Sequence, residues 1–126
     1  MKPVNPDALG RPSGYSHGME APPEARLLFV AGQTGAPGDF TAQFARALDR
    51  VLEVVRAAGG RPESVARMTV FVTSAADYRA ALEPLGEAWR ERMGRHYPAM
   101  TLVEVRALVD PEATVEIEAT AALEGA

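Results

Sequence analysis

The side chains able to do chemistry in this chain form a short set. Glu116 and Glu118 stand two positions apart in an otherwise apolar run, Thr114 to Ala122. In a strand, that spacing puts both carboxylates on one side, with Val115, Ile117, Ala119 and Ala121 on the other. A carboxylate fixed in this way can orient or deprotonate a water. Ser16-His17 and His96, with Asp77 or Asp110, supply the residue types of a nucleophile, a base and an orienting acid. Gly14-Tyr15-Ser16-His17-Gly18 has the Gly-x-Ser-x-Gly spelling, but a proline turn and an apolar strand-like run follow it where a nucleophile elbow leads into a helix, so a serine hydrolase is set aside. His17, His96 and a glutamate show no recognisable metal-ligand spacing. Gly32-x-x-Gly35-x-x-Gly38 follows an apolar run and precedes a helical one, as a phosphate-binding turn would. It lacks the dinucleotide fingerprint and the P-loop lysine, and it reads instead as a flexible loop at a pocket rim.

Composition narrows the classes further. The chain has 126 residues, 13 Lys+Arg against 17 Asp+Glu, and a formal net charge of -4. Such a balance argues against a phosphate-backbone partner, which needs concentrated Lys and Arg. With no cysteine, disulfides, thiolate nucleophiles and Cys-ligated metal centres are excluded. The proline-interrupted start, Met1 to Gly18, lacks the apolar stretch of a secretory signal, and no run approaches the ~20 apolar residues of a membrane helix. The expectation is one cytoplasmic domain over residues 1–126, with residues 1–12 an irregular lead and neither membrane nor nucleic acid as partner.

Positioning these groups falls to a ββαβαββ order. Ser13 to Met19 reads as a short irregular strand and Arg26 to Ala31 as a buried one. From Asp39 or Thr41 to Ala58, Phe44, Ala47, Leu48, Val51, Leu52 and Val55 recur every three or four residues and form one helical stripe, closed by Gly59-Gly60. A strand follows at Val65 to Thr73, with Met68, Val70 and Val72 alternating with Arg67, Thr69 and Phe71. Pro84 divides the next helical region into a short turn, Ala76 to Leu82, and a helix starting near the proline. Trp89 and Met93 read as core. The last strands are Met100 to Ala107 and Thr114 to Ala122. Two helices on one face of a mixed sheet make an α+β fold. Val103, Val105 and Ala107 are expected toward the helices, and Leu102, Glu104 and Arg106 on the opposite, polar face with Glu116 and Glu118.

A set of segments in fixed order carries a family resemblance: Gly14-Tyr15-Ser16, Phe29-Val30-Ala31-Gly32-Gln33, Ala57-Ala58-Gly59, Met68 to Thr73, Asp77-Tyr78, Tyr97-Pro98-Ala99, Val103-Glu104-Val105 and Val115 to Ala119. From about Gly14 to Ala121 the chain resembles the RidA/YjgF family, also known as endoribonuclease L-PSP or translation initiation inhibitor. The resemblance implies a chorismate-mutase-like fold, a homotrimer with sheets packed inward, and a small-molecule pocket at each subunit junction. It also implies hydrolytic deamination of reactive enamines and imines to keto acids and ammonia, with no metal and no organic cofactor. By the same resemblance, Tyr15 and Glu116 match the catalytic tyrosine and the water-positioning glutamate. Gly32, beside Ala31, matches the turn glycine whose backbone binds ligand.

Two positions depart from the family pattern. Where the family pattern has an arginine after Pro-Ala that grips the substrate carboxylate, this chain has Met100, and by the same resemblance Leu82 stands for an asparagine of the second helical region. Met100 and Leu102 would therefore line a more apolar pocket. Removing one partner of a buried ion pair costs about 3–5 kcal/mol, so 2-imino acids are expected to react roughly a hundredfold to a thousandfold more slowly. An ionised Glu116 without that arginine would repel carboxylates. Arg95, Arg106 and Arg11 are the candidates to replace the lost cation. Two readings stay open: a deaminase of an imine-like metabolite, and a non-catalytic small-molecule-binding or regulatory trimer.

Overall fold

The computed structural model describes residues 1–125. Its elements are β1 (Lys2–Val4), β2 (Gly18–Glu20), β3 (Arg26–Thr34), α1 (Phe40–Ala57), β4 (Val65–Val72), α2 (Ala75–Ala80), α3 (Leu82–Met93), β5 (Ala99–Glu104) and β6 (Val115–Leu123), with single 3-10 turns at Asp7–Leu9 and Pro62–Ser64. The main sheet has the order β3-β6-β4-β5; β4 and β5 run parallel and the other neighbours antiparallel. β1 and β2 form a separate antiparallel pair, so the N-terminal lead carries regular structure. None of the described helices is long and apolar enough to cross a membrane.

Helix α1 forms where its stripe predicts. Asp39 caps it by accepting from the Ala42 N–H at 2.8 Å, satisfying one of the donors a helix start leaves free. At the other end Gly59 takes φ +89°, and the Gly60 N–H donates back to the Val55 carbonyl at 2.9 Å. The buried stripe of α1 meets Val65, Met68, Val70, Val72, Val115 and Ile117 from the sheet, and Leu85, Trp89 and Met93 of α3 complete the core. Pro84 stands in the first turn of α3, where its missing N–H breaks no intrahelical bond.

Strand β3 continues past Ala31 to Thr34, through a bulge, so Gly32 lies in a strand and not in a loop. Gly35 is no free rim either: it is buried against α1, where an added Cβ would lie 2.9 Å from the Ala47 nitrogen. Of the first expected strand, Ser13 to Met19, only Gly18 and Met19 are regular, within β2, although Ser16 bridges Ala99.

The faces of β5 are the reverse of the expectation. Parallel pairing matches Met100 with Met68 and Leu102 with Val70, and both β4 partners point into the core. Met100 and Leu102 therefore face the helices, while Val103, opposite Phe71, is 39% exposed on the open face. The strand stops at Glu104, short of Val105 and Arg106. Glu104 is not part of the open face: its Oε1 accepts from the Ala75 N–H at 2.9 Å, at the start of α2.

Gln43 is a polar residue on the apolar stripe of α1, 2% exposed. Its Nε2 donates to the carbonyls of Gly38 (2.8 Å) and Glu112 (3.2 Å), and its Oε1 accepts from the Thr114 N–H at 2.8 Å. It ties α1 to the segment entering β6. Gln43→Leu keeps the volume and orphans these groups, so urea unfolding should show a loss of about 1–3 kcal/mol; an unchanged midpoint would refute the tie.

Candidate functional site

The open face of the sheet carries the acids. Along β6, Val115, Ile117, Ala119 and Ala121 are buried under the helices, leaving Glu116, Glu118 and Thr120 on the other side. They stand opposite Phe71, Thr69 and Arg67 of β4. On the β3 side, Val30 pairs with Ala119 and Gln33 with Ile117, so Ala31 and Gly32 together face Glu118. Two residues against one is a β-bulge, a device that re-aims a strand locally. Gly32 lies against the half-buried Glu116 side chain: an added Cβ would stand 2.8 Å from Glu116 Cδ and 3.0 Å from Cγ, and would collide with Oε2. The missing Cβ is what seats the carboxylate there. Phe29 (74% exposed) and Leu27 (59%) extend the same face as uncovered apolar surface.

Met100 and Leu102 occupy a second place. They border a cavity of about 340 Å³ between α3 and β5, walled mainly by Tyr78, Leu82, Trp89 and Tyr97. The Trp89 and Tyr97 rings stack with centroids 6.2 Å apart and planes 7° from parallel. The Trp89 Nε1–H donates to the His96 carbonyl at 3.1 Å, fixing the ring. Ser13 and Gly14 close one end, and Arg90 reaches the lining from α3.

Tyr15 lines neither place. Its ring meets His17 edge-on at 5.3 Å, and it borders a separate cavity of about 330 Å³ with Arg11, Arg95 and His96. Ser16 is committed to structure: its hydroxyl donates to the Tyr97 carbonyl at 2.6 Å and its N–H to the Pro98 carbonyl at 3.0 Å. His96 borders the same cavity as Ser16, but its Nε2 bonds the Val65 carbonyl at 2.7 Å and makes no hydrogen bond to the Ser16 hydroxyl. Among the described residues no group of three His, Asp or Glu side chains could hold a metal ion.

The structure thus brings Ala31, Gly32 and Glu116 together, brings Met100 and Leu102 together, and keeps the two groups on opposite faces of one sheet. Of the arginines named as replacements, Arg11 and Arg95 belong to the Tyr15 cavity and Arg106 lies beyond β5. Arg90 was missed; the available signal was an arginine four residues after a glycine, Gly86, inside a helix.

Comparisons with known proteins agree on one relationship. Residues 5–123 match the family model described as Endoribonuclease L-PSP. The chain is 35% identical over 123 residues to the 2-iminobutanoate/2-iminopropanoate deaminase of Escherichia coli K12, covering 92% of this chain and 90% of that protein. Among solved structures, a Rid-family protein of unknown function, YyfB from Yersinia pestis, superposes with TM-score 0.83 at 31% identity, covering 97% and 98% of the two chains. E. coli TdcF with bound serine superposes with TM-score 0.70 at 27% identity, covering 91% and 92%.

Gly32→Ala tests the seat of Glu116. The clash falls on the far end of a flexible side chain, so unfolding should cost less than about 1 kcal/mol, a few degrees in Tm. A crystal structure of the variant should show Glu116 swung to another rotamer, and an unmoved carboxylate would contradict the seat.

Proposed function

Because the chain belongs to the endoribonuclease L-PSP family, also called Rid/YjgF, we propose that it works as a homotrimer whose inter-subunit pockets hydrolyse an imine- or enamine-like metabolite. The observation that carries this reading is the split site. Glu116 over Gly32 and the Met100 cavity face away from each other in one chain, so a second copy is needed to set them against one ligand. Association through the open face would bury Phe29, Leu27 and Val103, an apolar patch of the kind that marks interfaces.

In this reaction the carboxylate of Glu116 accepts a hydrogen bond from a water and turns its oxygen toward the imine carbon. Addition of water and loss of ammonia convert C=N to C=O, so imine plus water gives ketone plus ammonia. Tyr15 directly precedes Ser16, whose bridge to Ala99 leads to Met100, and by the family resemblance it helps shape the site. Met100 removes the fork that would hold a carboxylate beside Pro98-Ala99, which weakens turnover of short 2-imino acids. The same substitution favours a second reading, a binding trimer that keeps the pocket without the chemistry.

Three measurements test this. Supplied with 2-iminobutanoate generated by a coupled enzyme, wild type should release keto acid about a hundredfold to a thousandfold more slowly than Met100→Arg. Efficient turnover by wild type would overturn the role given to Met100. Glu116→Gln should remove the activity of Met100→Arg; retained activity would dismiss Glu116 as the water-orienting group, and no activity in either protein would favour the binding trimer. Light scattering should give a particle of about 40 kDa, three times 13.4 kDa, and a monomer would sink the inter-subunit pocket.

A further inference from the structure

Arg90 is the sole charged residue among those lining the α3–β5 cavity. Among the described residues it has no carboxylate within 4.0 Å and makes no side-chain hydrogen bond. Its helix neighbour Arg92 behaves differently: it pairs with Asp49 at 2.7 Å, approaches Glu91 at 3.5 Å and donates to the Ala88 carbonyl at 3.1 Å. One arginine of α3 is consumed by the fold and the other is left over.

The placement of the free one depends on Gly86. Long side chains on a helix lie back over the preceding turn, and Arg90 does so: an ideal Cβ at Gly86 would stand 3.2 Å from Arg90 Nη1 and 3.8 Å from Cζ and Nη2. Glycine inside a helix costs about 1 kcal/mol relative to alanine. Here it lets the guanidinium lie low against the helix, at the wall of the cavity. Apart from Ser13 at one end, the rest of the lining is apolar or aromatic, and the parallel Trp89 and Tyr97 rings give it a flat side. Apolar walls with one well-placed polar group are the usual make-up of a small-molecule site, and a guanidinium binds a carboxylate through two parallel N–H bonds.

We propose that Arg90 is the ligand-binding cation of this cavity and that the site takes a monocarboxylate carried on a flat apolar body, such as an aryl-substituted acid. The proposal rests on the small-molecule pocket proposed above and gives it a substrate class. With Met100 in place of a cation at β5 and Leu82 widening the apolar wall, charge recognition moves to α3, and the space beside Met100 takes hydrocarbon. One positive group and no second cation match a single negative charge.

Calorimetric titration without turnover tests it, using 3-phenylpropanoate, its neutral amide and propanoate. Wild type should bind 3-phenylpropanoate at least about tenfold more tightly than either other compound. Arg90→Met should erase the preference for acid over amide while leaving amide affinity within about twofold, and Arg90→Lys should keep a reduced preference. Arg90 is exposed and unpaired, so Arg90→Met should melt within a few degrees of wild type. Equal binding of acid and amide by wild type, or an intact preference in Arg90→Met, would overturn the proposal. Since no catalysis is read, a protein that deaminates nothing can still satisfy this test, and an active deaminase can fail it.

Discussion

Strand β6 is the constraint on which the rest depends. It lies between β3 and β4, antiparallel to both, so its backbone is bonded on two sides and cannot slip. Val115, Ile117, Ala119 and Ala121 are held in the core beneath α1. A one-residue shift in register would turn all four out to solvent. That penalty fixes Glu116 on the open face as firmly as it fixes Ile117 inside, without any bond made by the carboxylate. Gln43 adds a second restraint by gripping the backbone at Thr114, just before β6 begins.

The two charged groups singled out for function share a physical device. Glu116 lies against Gly32, and Arg90 lies against Gly86. In each case the absent Cβ removes the obstacle that would push a long polar side chain outward. Neither glycine has a positive φ, so the requirement is for space and not for a left-handed backbone. On β3 the space is combined with a bulge, and on α3 with a helix interior where glycine is unfavourable. The two sites lie on opposite faces of one sheet, and this makes association of copies central to the proposed chemistry.

Much of the architecture was legible in the residues. The stripe Phe44 to Val55, the alternation of Met68, Val70 and Val72, and the break before Pro84 each had one consistent reading, because apolar spacing and local stop signals agreed. β5 failed for an identifiable reason. Met100 and Leu102 are apolar, but so are Val103 and Val105, so alternation offers two faces of similar character. Parallel pairing with β4 chose between them by aligning Met100 with Met68. The bulge at Ala31-Gly32 was hidden likewise, since Gly32 beside Gly35 and Gly38 has the composition of a loop.

The α+β class, the helix that covers the sheet and the family could be read from the residues alone. These follow from local spacing and residue identity, which do not depend on where distant segments lie. Tertiary structure decided that Met100 and Glu116 face apart, that Tyr15 sits with Arg11 and Arg95, and that Arg90 joins Met100 at one cavity. Those outcomes depend on strand register and on which side chain finds an empty glycine beside it, and both are set by contacts between residues far apart in the chain.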